Sequence, residues 1–206
     1  MKTQKRIAIS YVRIFFSLLV FAAIIVQLFD SIQNGRSVAN FFSFFTIQSN
    51  VIAAFVLLAV GIGTLTRQKA NPQFAFIRGG ATLYMVMTGI IFALLLAGLQ
   101  QSLQTTIPWV NTVLHYTMPI VILVDWLLYP PKFTFSFRYT ILWLTYPIVY
   151  LLYSLIRGEF TNWYPYPFIN PLLSGWASVI VMCIIISLGT IALAWLLALR
   201  TRGKKR

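Results

Sequence analysis

Six stretches of this chain are each long and apolar enough to cross a lipid bilayer, which leaves few folds open to it. A spanning helix needs about 20 mostly apolar residues for a hydrocarbon core about 30 Å thick. Such segments run over residues 7–29, 44–65, 79–99, 109–129, 137–156 and 173–199. The connections carry turn and breaker signals: Asn34-Gly35, Asn71-Pro72, Pro108, Pro130-Pro131 and the aromatic–proline stretch from Trp163 to Pro171. The expected fold is all-α, a polytopic bundle of six transmembrane helices making one domain over residues 1–206. Composition agrees, because 59% of residues are hydrophobic and 9% are charged, where a soluble domain carries about 25% charged residues.

The net charge of +13 does not indicate nucleic acid, because the cations stand in small groups between apolar runs. With six crossings, fourteen of the sixteen Lys and Arg residues fall on the side that holds both termini. They are Lys2, Lys5, Arg6, Arg13, Arg67, Lys69, Arg78, Lys132, Arg138, Arg200, Arg202, Lys204, Lys205 and Arg206. Only Arg36 and Arg157 fall on the other side. The positive-inside rule then puts both termini in the cytosol, and a short chain of this kind suits a bacterial cytoplasmic membrane. The first segment also resembles a secretory signal, with Lys2, Lys5 and Arg6 before an apolar run and Phe21-Ala22-Ala23 within it. Its length and its Arg13 favour retention as the first helix.

A polar side chain in hydrocarbon needs a partner or a task, so the polar residues inside these segments locate the candidate chemistry. The second segment begins Phe44-Phe45-Thr46-Ile47-Gln48-Ser49-Asn50, with Thr46, Ser49 and Asn50 sharing one helical face. The fourth begins on the same side of the membrane and carries Asn111, Thr112 and His115, the only histidine of the chain. At about 1.5 Å per residue, Thr46 and His115 lie at one shallow depth. A hydroxyl is a weak nucleophile until a base takes its proton, and a neutral imidazole can be that base. Each residue alone also reads as a structural hydrogen-bonding group holding helices together.

Acids to complete a triad are scarce. Asp30 and Glu159 lie at helix ends, and Asp125 is about 15 Å from His115 along the same helix. A dyad is therefore expected, with Asn111 or another neutral group orienting the imidazole and with Asn50 or Ser49 as candidate oxyanion donors. Asp125 reads either as a relay or as a structural partner for Lys132, Arg138 or Arg78. In the loop, Trp163, Tyr164 and Tyr166 read as an interfacial anchor and as a lid that binds substrate. Cys183 is the only cysteine, so neither a disulfide nor a thiolate metal cluster can form within the chain. Walker, dinucleotide, HExxH and G-x-S-x-G motifs are absent, and neither a metal nor a cofactor is expected.

Three stretches carry a resemblance: Phe41 to Asn50, Asn111 to Asp125 (NTVLHYTMPIVILVD), and Trp163 to Phe168. Together, in this order and spacing, they resemble the androgen-induced and androgen-dependent transmembrane hydrolases, especially the bacterial-type branch. The resemblance implies an integral-membrane threonine hydrolase acting on fatty acid esters of hydroxy fatty acids, with Thr46 as nucleophile and His115 as catalytic histidine. The basic C-terminal tail and the Phe-rich start of the second helix differ from the animal members. The expectation is hydrolysis of fatty acyl esters of membrane lipids. The alternatives are a non-catalytic lipid-binding or transport-related bundle and, third, a proton-coupled transporter.

Overall fold

The computed structural model describes residues 3–99 and 106–201. Six helices are long and apolar enough to span a membrane: α1 (Thr3–Gln33), α2 (Phe45–Leu65), α3 (Pro72–Leu96), α4 (Pro108–Leu128), α5 (Phe137–Thr161) and α6 (Pro171–Thr201). Among the described residues there is no strand. The fold is all-α, and the chain is an integral multi-pass membrane protein. Large apolar side chains such as Phe15, Leu18 and Phe29 on α1 and Ile180, Ile184 and Leu188 on α6 stay exposed, as lipid-facing surfaces require.

The six helices fall where the hydropathy predicts, several ends lie two to five residues from the predicted ones, and the largest shift has a clear reason. Asn71-Pro72 reads as loop punctuation in the sequence, yet it starts α3 seven residues ahead of the predicted position. The Asn71 side chain accepts from the main-chain N–H groups of Gln73 and Phe74 at 2.8 and 3.3 Å. Pro72 takes the first helical position, where its missing N–H is no loss. The apolar run alone does not mark this polar first turn.

The contacts divide the chain into two compact units, Met1–Phe133 and Thr134–Arg206. The first holds α1–α4. Here α1 lies along α2, fixed by Ser17 Oγ donating to the carbonyl of Ala54 at 2.8 Å. Gly61 allows this approach, because a Cβ there would meet the Ile14 side chain at 2.8 Å. Toward one end of the unit, Asp125 of α4 takes Arg13 Nε of α1 and Arg78 Nη2 of α3, each at 2.7 Å. Arg13 also donates to Thr64 Oγ1 at 3.0 Å, so one carboxylate and two guanidiniums join all four helices. All three side chains are buried, with Arg13 over the ring of Tyr129 and Arg78 over Trp126. Of the partners expected for Asp125, Arg78 is used, and Arg13 takes the second place. Arg13 and Arg78 are therefore interior residues rather than loop cations. Removing them from the charge count still leaves twelve cations against two. Of those twelve, Lys2, Arg202, Lys204, Lys205 and Arg206 lie outside the described residues.

The second unit holds α5 and α6. The N–H of Phe135 donates to Thr201 Oγ1 at 3.1 Å, joining the approach to α5 to the end of α6. A left-handed Asn162 (φ 51°) stops α5, and Gly175 (φ 73°) breaks the first turn of α6. Between α5 and α6 lies an apolar cleft of about 350 Å³ lined by Leu151, Leu155, Trp176, Val179 and Cys183, among others.

Candidate active site

The polar residues selected from the sequence meet around a local defect in α4. Residues Val113–Thr117 form a π turn, in which the N–H of Met118 donates to the carbonyl of Val113. In an unbroken α-helix that N–H would serve Leu114. The next residue is Pro119, which has no N–H to give. Leu114 is thus left with a carbonyl that no main-chain donor reaches. Asn50 supplies the donor, its Nδ2 lying 3.0 Å from the Leu114 oxygen. The same Nδ2 lies 2.9 Å from the carbonyl oxygen of Thr46, one turn back on α2. A single amide group therefore fastens the turn that carries Thr46 to the turn that carries His115. Gly89 of α3 completes the fit, since a Cβ there would lie 2.9 Å from the Pro119 side chain and 3.5 Å from the His115 carbonyl.

His115 is buried, and so are Thr46, Ser49 and Asn50. The imidazole Nδ1 lies 3.2 Å from the main-chain oxygen of Asn111. A carbonyl only accepts, so this contact assigns the proton to Nδ1 and leaves Nε2 of the neutral ring with a lone pair. Phe92 of α3 stacks on the ring with centroids 3.8 Å apart and planes at 21°. These two contacts fix the ring in its plane and in its tautomer. The contact from Asn111 comes from its main-chain oxygen and not from its side chain. Its side-chain Oδ1 is buried with no hydrogen-bond partner among the described residues.

The candidate oxyanion donors are otherwise engaged. Both amide hydrogens of Asn50 go to carbonyls, so the group it presents is Oδ1, an acceptor, buried and unpartnered among the described residues. The Ser49 hydroxyl lies 2.9 Å from Thr88 Oγ1 of α3 and 3.2 Å from the Thr46 carbonyl. Neither side chain has a free hydrogen for a developing oxyanion, and both act here as ties between helices.

Three neighbours of the site do not stand out in the sequence, Phe92 and Thr88 of α3 and Pro119, and a fourth residue, Gln27 of α1, is a buried amide bonded to Asp30. Gln27 is fully buried and stands in an apolar run, and that polarity was the available signal. Pro119 stands four residues after His115, a spacing that removes a helical donor from the histidine carbonyl. Asp30, read as a helix-end acid, accepts from Gln27 Nε2 at 3.1 Å and from Thr106 Oγ1 at 3.0 Å. It also bonds Asn34 at 3.1 Å and faces Arg36 at 3.6 Å.

The aromatic loop belongs to the second unit and is fastened to the end of α5. Tyr164 is buried, and its ring fills the space that any side chain at Gly158 would need. Arg157 lies over the Trp163 ring at 4.9 Å, and Tyr166 stacks on Phe168 with centroids 5.2 Å apart. Comparison of the chain with family models, with curated proteins and with solved structures gives no match.

Proposed function

We propose that this protein is an integral-membrane hydrolase of fatty acyl esters, with Thr46 as nucleophile and His115 as base. The observation that carries the reading is the Asn50 amide, which binds the carbonyls of Thr46 and Leu114 and so holds the two candidate turns side by side. The Asn111 contact supports it by leaving His115 Nε2 as a proton acceptor. In the first half-reaction Nε2 takes the Thr46 hydroxyl proton as Oγ1 attacks the ester carbonyl. The tetrahedral intermediate collapses, the ester C–O bond breaks, and the imidazolium returns the proton to the departing alkoxide. Water then attacks the acyl-threonine by the same proton path and releases a fatty acid. The resemblance noted above directs the substrate toward fatty acid esters of hydroxy fatty acids.

The basic loops support cytosolic termini, which would put Thr46 and His115 near the opposite face of a bacterial cytoplasmic membrane. Trp163, Tyr164 and Tyr166 serve in this reading as an aromatic anchor in the lipid headgroup region. The deciding experiment is labelling of the purified protein by a lipophilic fluorophosphonate, followed by mapping of the modified residue. Modification of Thr46, lost in Thr46→Ala and in His115→Ala, is the expected result. A folded protein that is not labelled, or is labelled elsewhere, defeats the proposal.

A second reading has its own support in the hydrogens of Asn50 and Ser49, all of which go to neighbouring helix groups. In it the polar cluster only joins α2, α3 and α4, and the protein binds lipid without turning it over. Stoichiometric lipid retention with no labelling would favour that reading.

A further inference from the structure

Gln27 is a fully buried polar side chain that the mechanism above leaves unused, at 0% exposure within the apolar run 22–29 of α1. Its amide orientation is determined by a neighbour. Asp30 Oδ2 lies 3.1 Å from the Gln27 amide, and a carboxylate can only accept, so the nitrogen faces Asp30. The oxygen Oε1 is then turned away from Asp30, buried and without a hydrogen-bond partner among the described residues.

The helix register puts Gln27 at the level of the candidate site. Arg13 meets Asp125 at 2.7 Å and Asp30 meets Thr106 at 3.0 Å, so α1 runs antiparallel to α4 with Gln27 beside its first turn, which carries Asn111. Ser17 meets Ala54 and Phe21 meets Phe55, which brings Gln27 within a turn of Thr46 on α2. Three helices thus contribute buried, unpartnered acceptors within about two helical turns of one another: Gln27 Oε1, Asn50 Oδ1 and Asn111 Oδ1. Each such group is costly in a dry interior unless a donor satisfies it. His115 Nε2 adds a fourth acceptor. A wall of acceptors is complementary to a small molecule that carries two O–H donors.

We propose that Gln27 is a positioning residue for the hydrolytic water. This rests on the hydrolase reading and names a further residue of that site. The water passes one proton to His115 Nε2 and keeps the other, hydrogen-bonded to Gln27 Oε1, while its oxygen attacks the acyl carbon. The carbon–Oγ1 bond to Thr46 then breaks, the imidazolium proton passes to Oγ1, and the carboxylic acid leaves. Gln27 takes no part in acylation, which needs no water.

The test is pre-steady-state hydrolysis of a long-chain p-nitrophenyl ester by the full chain in detergent. In Gln27→Leu the burst, which reports acylation of Thr46, keeps its rate, and fluorophosphonate labelling keeps its wild-type rate. The steady phase slows roughly ten- to a hundredfold, and acyl-threonine accumulates to a mass that an intact-protein spectrum detects. Gln27→Glu, which retains an acceptor oxygen, recovers most of the steady rate. Deacylation at the wild-type rate in Gln27→Leu overturns the proposal, as does a slowed burst with unchanged deacylation. If Gln27→Leu fails to fold, an experimental wild-type structure that resolves waters decides. A water bonded to Gln27 Oε1 supports the proposal, and a side-chain donor in that place overturns it. Failure of the hydrolase reading is distinguishable, because the wild type would then show neither burst nor label.

Discussion

Asn50 donates its side-chain amide to the main-chain oxygen of Leu114, a carbonyl that the π turn and Pro119 together leave without a helical donor. The defect and its repair lie on different helices, and between them they determine where His115 stands. Removing either half should have different consequences.

Asn50→Ala removes the donor and leaves the Leu114 oxygen unsatisfied in a dry interior, which costs about 1–3 kcal/mol. Asn50→Asp preserves the shape but turns a carboxylate toward two carbonyl oxygens, so it is expected to be the more destabilising of the two. Thermal unfolding in detergent, monitored by circular dichroism, should rank wild type above Asn50→Ala and Asn50→Asp last.

Pro119→Ala restores an N–H two residues after the π turn and lets α4 relax toward regular α-helix. The turn that carries His115 would then rotate away from Phe92 and from Asn111. The expected outcome is a thermal midpoint equal to or above wild type, with fluorophosphonate labelling slowed at least tenfold. Equal labelling in a well-folded variant would remove the π turn from the account.

The buried cluster of Arg13, Arg78 and Asp125 carries one more positive than negative charge. Its charge predicts an asymmetry. Asp125→Asn leaves two guanidiniums facing each other without compensation, a loss of about 3–5 kcal/mol. Arg13→Gln leaves a neutral Arg78–Asp125 pair and should be tolerated much better. Comparing the denaturation midpoints of the two variants tests the sign directly.

Gly158→Ala forces the ring of Tyr164 out of its place against α5. Because Tyr164 anchors the loop that follows α5, limited proteolysis between Asn162 and Asn170 should accelerate severalfold. Wild-type protection would mean that the ring is not what holds the loop.

How much of this was legible in advance depended on the range of each interaction. The six spans could be read because hydropathy over about 20 residues is a local property, and the Asn71 cap was equally local but polar enough to be taken for a loop. Thr46, Asn50 and His115 stood out as polar groups at equal depth in apolar helices. What they bond could not be read, because the Asn50–Leu114 contact spans 64 residues and depends on a proline that removes one N–H. Asp125 pairs with Arg13 across 112 residues, so the nearer Lys132 and Arg138 looked like better partners than they are. Gln27 is one amide in an apolar run and carries little weight until its burial and its unpartnered oxygen are known.

The separation between Arg13 and Asp125 also sets an order of assembly. During synthesis α1 enters the bilayer with a guanidinium that has no counterion, and 112 residues later Asp125 arrives to neutralise it. Until then that charge must stay at the lipid boundary or beside the insertion machinery. The first span of this protein therefore takes its final depth only when the fourth is made, and truncations ending before residue 125 should leave α1 loosely inserted.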